Sequence, residues 1–360
     1  MRFRQHALDA MCICMQAAAE AELLRAKEEG QKVMVISERR GDGFCSSVKG
    51  MAVRPDGLVF ATCGGCGHTE VWDAATGTSI QTVDAHATEV RAVAWSPDGS
   101  LLATASADNT TKLCDVEMEA TRSWLRGHKK DVWAVAWSPN GKLVCTASAD
   151  RTARVWDVST GATLHVLKGH SKPLYSAVFS PCGKLLATAA GDCTVRLWAA
   201  QSGAAVRVLE GHRNWVMCVA WSPDGSTIAS GARDRTVVLW DATTRTAMAT
   251  LEGHTHWVWS VAWSPDGKML ATGAWDGTVR LWDVRKHTVT RVIRDFDGHM
   301  VYSVAWGPCG RVLFVSTVGG NVRIYSIQQE QSEQLTAWRA LTTLDDRTDA
   351  SELTHKANGA

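Results

Sequence analysis

The sequence predicts an all-β array of seven repeated sheets, a propeller or a solenoid, and three observations predict it. The first is a Pro-Asp-Gly turn, or a near variant, that returns seven times. Its prolines are Pro55, Pro97, Pro139, Pro181, Pro223, Pro265 and Pro308, spaced by 42 residues five times and then by 43. Proline presets φ at the first corner of a type I turn, and the glycine two residues on supplies the left-handed position that closes it. The second observation is the period itself, since repeats in the low forties mark propellers and solenoid arrays. The third is the content of each period: short runs rich in Val, Thr, Trp and Leu, parted by turn residues.

Taken in order, residues 6–29 are rich in Ala, Glu, Leu and Met and stop at Gly30, which predicts a helix. Residues 1–31 are therefore expected as an N-terminal helical extension, without the a/d heptad of a coiled coil. Residues 32–327 number 296 and hold seven repeats of 42 almost without remainder. Residues 328–360 form a short polar C-terminal tail. Within the sixth repeat, Gly253-His254 precedes a strand at Val258–Trp263 and the turn Ser264-Pro265-Asp266-Gly267. Strands at Met269–Ala274, Thr278–Trp282 and Thr288–Ile293 follow, the first two joined through Trp275-Asp276-Gly277. One such sheet cannot bury both faces, so seven must pack face to face around an axis. Residues 32–37 precede Phe44 as a fourth strand precedes each Gly-His, so Val33 to Ser37 are expected to complete the seventh sheet and close the ring.

Composition narrows the class. Hydrophobic residues make up 45% and charged residues 21%, ordinary for a globular chain, and the net charge is +1. No global field draws such a protein to nucleic acid or an anionic membrane. The first 31 residues carry −1 and the last 33 carry −3, leaving +5 spread over the repeats. No apolar run approaches the roughly 18 residues of a membrane span. Asp9 and Gln16 interrupt the apolar stretch after the basic Met1–His6, and acidic residues follow at 20, 22, 28 and 29, so neither a secretory signal nor a presequence is expected. Eleven cysteines, an odd number at irregular spacing, read as reduced thiols of an intracellular protein, cytoplasmic or nuclear.

The repeats end in Val71-Trp72-Asp73, Val155-Trp156-Asp157, Leu239-Trp240-Asp241 and Leu281-Trp282-Asp283, and begin at Gly-His pairs ending in His128, His170, His212, His254 and His299. Over residues 32–327 the chain resembles the WD-repeat (WD40) β-propellers, which implies a seven-bladed ring. The resemblance implies structural tetrads: His128, Thr146, Asp150 and Trp156; His170, Thr188, Asp192 and Trp198; His212, Ser230, Asp234 and Trp240; His254, Thr272, Asp276 and Trp282. A buried carboxylate needs donors, and imidazole, hydroxyl and indole N–H satisfy one another in a chain. Recurrence in register gives these residues a structural role, so no catalytic residue is assigned and no enzyme is expected. Blade 2 departs with Cys114 for the Trp. Blade 1 has Phe44 for the His and Cys66 for the Asp, and blade 7 has Gly319 for the Asp and Tyr325 for the Trp. These neighbouring blades are where local opening should begin. Cys63 and Cys66 form a CxxC with His68 nearby, but no second ligand pair accompanies them, so neither a metal nor a cofactor is expected.

Against this constant frame three positions vary. Three residues after the His stand Glu89, Asp131, Pro173, Trp215 and Trp257, with Met300 in the last repeat. Two further on stand Lys49, Arg91, Trp133, Tyr175, Met217, Trp259 and Tyr302. Just before the blade Asp stand Ala107, Ala149, Gly191, Arg233 and Trp275. In WD-repeat propellers these positions surround the top mouth of the central channel, where peptides are seated. The resemblance thus points to Arg91, Trp133, Tyr175, Trp215, Met217, Arg233, Trp257, Trp259, Trp275 and Tyr302 as a partner-binding rim with cationic points at the two arginines. Trp, Tyr and Arg dominate interface hot spots, and a few large aromatics cover most of one side of an interface. A Trp on an inner strand serves equally well as core, which is the role read for the shared Trp95, Trp137, Trp221, Trp263 and Trp306. The expected function is a non-catalytic scaffold that binds a peptide segment of a partner within a multiprotein complex. The alternative is an assembly factor of an RNA-protein particle. Direct nucleic-acid or membrane binding is not expected, and the oligomeric state stays open.

Overall fold

The computed structural model describes residues 32–37, 47–84, 86–118 and 120–327. The chain divides into two compact units, Met1–Ser326 and Ile327–Ala360, and the architecture below belongs to the first. The expected N-terminal helix and polar tail lie outside the described residues. Among the described residues there is no helix at all, and so none long and apolar enough to cross a membrane.

Those residues form seven antiparallel sheets of four strands each. In the sixth blade the strands are Val258–Trp263, Met269–Ala274, Val279–Asp283 and Thr288–Ile293. The third begins at Val279, one residue later than read; the Thr278 amide and hydroxyl both donate to Asp276 Oδ1, at 3.0 and 2.7 Å. First strands touch one another in succession around the ring, so they line the central channel. Second strands such as Leu101–Ser106 and Thr227–Ala232 are buried along their whole length between neighbouring blades. The seventh blade takes three strands from Val301–Ser326 and its fourth from Lys32–Ser37, which pairs antiparallel with Asn321–Ser326 through Met34 opposite Ile324 and Val35 opposite Arg323. The ring is therefore sealed by the two ends of the repeat region.

Two devices recur at blade contacts. The tryptophan ending the first strand donates its indole N–H to a first-strand carbonyl of the preceding blade: Trp95 to Ala52 at 3.2 Å, Trp137 to Ala94 at 3.0 Å, Trp263 to Ala220 at 3.3 Å and Trp306 to Ala262 at 3.1 Å. Trp221 is equally buried but its N–H has no acceptor. The proline turns supply the second device. Gly99, with φ of 71°, donates its amide to Ser96 O at 2.8 Å, and the Ser96 hydroxyl donates to Asp98. Each turn glycine then backs onto the proline of the preceding blade's turn, from Gly99 on Pro55 to Gly310 on Pro265, and Gly57 on Pro308 across the seam. The seven turns thus interlock as a ring on one rim of the channel.

Blade 7 corrects one reading of the repeat. His299 does not take the buried histidine position but lies exposed over Gly319, where blades 2 to 6 carry the aspartate. With no carboxylate there to receive an imidazole, the site is filled by buried Phe296 edge-on to Tyr325, ring centres 6.0 Å apart, and by buried Arg323 paired with Asp295 at 2.9 Å and with Asp297. Cys66 corrects another: it is disulfide-bonded rather than a thiol, while the other seven described cysteines form no disulfide. Half-cystines are brought together by the fold, so irregular sequence spacing did not reveal it. The bond also removes the Cys66 thiolate from any CxxC metal site, and among the described residues no three His, Cys, Asp or Glu side chains cluster as ligands.

Candidate functional site

In blades 3 to 6 the four tetrads are assembled alike. Imidazole Nδ1 lies 2.8–2.9 Å from the aspartate, Nε2 lies 2.7–2.9 Å from the Thr or Ser hydroxyl, and the indole N–H donates to that hydroxyl over 2.8–2.9 Å. With Nδ1–H donating to the carboxylate, Nε2 accepts from the hydroxyl, and every member is satisfied. Burial disfavours the charged form of Asp150, Asp192, Asp234 and Asp276. Hydrogen bonds from the imidazole, the Thr two residues on and one backbone amide outweigh it and hold these carboxyls well below the usual range. The hydroxyls of Thr146, Thr188, Ser230 and Thr272 are wholly buried, so no substrate reaches them. Blade 2 keeps His86, Thr104 and Asp108. Cys114 stands where the Trp would be, and the half-exposed Trp124 of the fourth strand lies edge-on to His86, ring centres 5.9 Å apart. Blade 1 keeps the Trp72 to Thr62 bond at 2.9 Å.

The variable positions are held by backbone. In every blade the first strand slips register at its second residue, and the bulged residue is Lys49, Arg91, Trp133, Tyr175, Met217, Trp259 or Tyr302. A β-bulge frees one residue from the ladder and re-aims its side chain. All seven line one cavity of about 420 Å³ at the channel mouth, together with Arg233 and Trp275. The other two variable positions face each other through one backbone hydrogen bond per blade, as Arg233 N to Trp215 O at 2.8 Å and Trp275 N to Trp257 O at 2.9 Å.

Side chains around the mouth form a continuous chain with two characters. From blade 1 to blade 3 it is ionic. Lys49 pairs with Glu89 at 2.7 Å, and Arg91 pairs with Glu89 at 2.8 Å and Asp131 at 3.1 Å while lying 4.2 Å over the Trp133 ring. Glu89 is held below its usual pKa, since Lys49 and Arg91 outweigh its partial burial. From blade 3 to blade 7 the chain is aromatic. Trp133 meets Tyr175 edge-on at 5.4 Å, and Tyr175 stacks on Trp215 at 5.7 Å. Arg233 is clamped between Trp215 and Trp257, its guanidinium carbon 4.0 and 3.9 Å from their ring centres. Trp275 packs on Trp257 at 4.7 Å and on Trp259 at 4.8 Å, and Trp259 meets Tyr302 edge-on at 5.4 Å. Burial raises the pKa of both tyrosines.

All ten rim residues read from the sequence are in or beside this assembly, but two readings change. Arg91 is no free cation, because two carboxylates take up its charge. Met217 is only 4% exposed and forms floor rather than rim. Sequence reasoning missed His256, which stacks on Trp275 at 6.0 Å, and the Glu89–Asp131 pair as partners of Arg91. Glu89 and Asp131 stood at a variable position, but their pairing crosses blades and needs the ring.

Two family models agree with this architecture. One described as "WD domain, G-beta repeat" matches residues 77–115 and 119–157, and one described as "IFT122 first beta-propeller" matches residues 173–344. The chain carries WD repeats on a seven-bladed β-propeller. Each WD repeat matched begins with the outer strand of one blade and runs through three strands of the next, as Ser79–Asp84 followed by Val90–Trp95, Leu101–Ser106 and Thr110–Asp115. That offset is what lets Lys32–Ser37 close the ring. No curated protein matches the chain significantly. Members of the family are in general scaffolds for protein partners.

Proposed function

We propose that this propeller is a non-catalytic interaction scaffold that seats a peptide segment of a partner protein on its aromatic channel mouth, as a subunit of a multiprotein complex. The observation that carries this reading is the mouth itself. Seven bulged side chains converge on one cavity lined by Trp133, Trp259 and Trp275, with Trp215 and Trp257 packed beside it, and these five tryptophans stand at positions that differ from blade to blade. Each ring packs against another, so little side-chain freedom is left to lose on binding. The buried tetrads supply no accessible nucleophile, which supports a non-catalytic role.

The test is differential capture. Tagged wild type and Trp133→Ala/Trp259→Ala are compared by affinity purification and mass spectrometry, with circular dichroism verifying that the variant is folded. The reading expects a set of partners to be lost from the folded double variant. Retention of every partner refutes it.

A further inference from the structure

We infer that the segment bound at the mouth is acidic: it sets a carboxylate on Arg233 and runs outward past Gly191 onto a basic groove between blades 3 and 4. This rests on the peptide-binding reading above and names the chemistry of the peptide.

Arg233 carries the first part of the argument. Lys49 and Arg91, the other cations of the mouth, are neutralised by Glu89 and Asp131. Arg233 has no carboxylate partner among the described residues, and its Nε is buried without an acceptor. Sandwiched by Trp215 and Trp257, it keeps a fixed plane at the cavity wall. A fixed guanidinium fork is matched by a carboxylate in bidentate geometry, and stacking lowers the entropy lost on pairing. Desolvation already pushes the Arg233 pKa below its usual value, so an arriving anion relieves a standing penalty.

The groove carries the second part. A cavity of about 420 Å³ is lined by Lys129, Lys130, Arg151 and Lys172, all exposed and none ion-paired among the described residues. Its one carboxylate, Asp150, is taken up by His128 and the Lys129 amide. Groove and mouth meet at Gly191, where a Cβ would stand 3.4 Å from the Lys172 stem and 3.5 Å from both the Trp215 and Tyr175 rings. Four unpaired cations on a chain of net charge +1 make this the natural track for an acidic segment. A nucleic acid fits less well. The aromatic faces that would stack bases are covered by Arg233 and by one another.

The test pans the purified full-length chain against a displayed library of short random peptides, then measures the best peptide by fluorescence anisotropy. Enriched sequences are expected to carry Asp or Glu, and Arg233→Met, which keeps the stacking volume, is expected to bind roughly tenfold or more weakly. Arg233→Lys should restore part of the loss. Lys130→Glu/Lys172→Glu, at exposed positions that spare the fold, should weaken binding as well and flatten its salt dependence. Enrichment without acidic residues, or binding unchanged in Lys130→Glu/Lys172→Glu, overturns the acidic-segment proposal and leaves the peptide-binding reading intact. Single-stranded RNA that displaces the peptide at equal or lower concentration overturns it in favour of nucleic acid. Peptides enriched equally by Trp133→Ala/Trp259→Ala overturn the underlying reading.

Discussion

Replacing Thr188 by valine removes one hydroxyl and changes almost nothing in shape, yet two groups depend on that hydroxyl. Its oxygen receives the Trp198 indole N–H at 2.8 Å, and it lies 2.9 Å from His170 Nε2, all three wholly or nearly buried. Valine leaves a buried N–H and a buried imidazole lone pair unmet. Each stranded group costs about 1–3 kcal/mol, so Thr188→Val should destabilise by roughly 2–6 kcal/mol. Blade 2 provides the control inside the same molecule. Thr104 is as buried and lies 3.0 Å from His86 Nε2, but Cys114 stands where the indole would be. Thr104→Val therefore strands one group instead of two and should cost about half as much, about 1–3 kcal/mol. The assay is urea unfolding followed by tryptophan fluorescence. Because a ring of repeats need not unfold in one step, native-state hydrogen exchange of blades 2 and 4 is read alongside it. Equal costs for the two variants would refute the hydrogen-bond chain as the source of blade stability, since packing loss alone is the same in both.

Acid should unfold the ring in a defined window. The tetrad carboxylates sit below their usual pKa in the fold, so their contribution is complete above the ordinary carboxylate range and is lost as pH falls below about 4; melting temperature should drop with pH through that range, and Asp276→Asn should shrink the drop. At the seam, a Cβ on Gly57 would stand 2.8 Å from Pro308 Cγ, against 3.7 Å between Gly141 and Pro97 Cδ, with positive φ at both glycines. Thermal melts should show Gly141→Ala costing about 1 kcal/mol for its backbone alone and Gly57→Ala about 1–3 kcal/mol more. Burial pushes the thiols of Cys145 and Cys218 up to about 12, while a hydrogen bond from Ser180 holds the exposed Cys182 below its usual value. Alkylation of the native protein near neutral pH, mapped by mass spectrometry, should modify Cys182 and spare the other two. Amide exchange should be faster in blades 1, 2 and 7 than in blades 4 to 6, because the former lack complete tetrads.

How much of this could be read in the sequence depends on whether a contact repeats. The blade number, the strand at residues 32–37 and the tetrads of blades 3 to 6 were legible because each signal recurs about every 42 residues, and recurrence separates signal from coincidence. Contacts between neighbouring blades were not legible. Arg91 looks like a free cation until Glu89 and Asp131 are brought beside it from its own and the next repeat. Blade 7 was misread because Gly298-His299 repeats the Gly-His pair 45 residues after His254, while Phe296, 42 residues after it, holds the in-register position beside Arg323 and Tyr325. Trp124 reaches His86 from a different strand than the tetrad tryptophans, a contact that a position-by-position comparison cannot see.

The tetrads and the mouth are parts of one construction, and this explains why the variable residues vary. The aspartate of each tetrad accepts the amide that follows the histidine, as Asp276 does from Thr255 at 2.9 Å, and so ties together the two loops that carry Trp257 and Trp275. The backbone bond from Trp275 N to Trp257 O, at 2.9 Å, fixes the same pair a second time, and the bulge at Trp259 aims the third residue at the cavity. Every restraint in that list uses backbone or buried tetrad atoms. None uses the side chain of Trp257, Trp259 or Trp275. Positions held in this way accept any side chain without cost to the loops, so the ring can present Lys49 in one blade, Tyr175 in another and Trp259 in a third on an identical frame. The converse also holds. A substitution in a tetrad, such as Asp276→Asn, should loosen the rim it ties down and weaken binding without touching the ligand, whereas Trp259→Ala should weaken binding and leave the blade as stable as the cavity term allows.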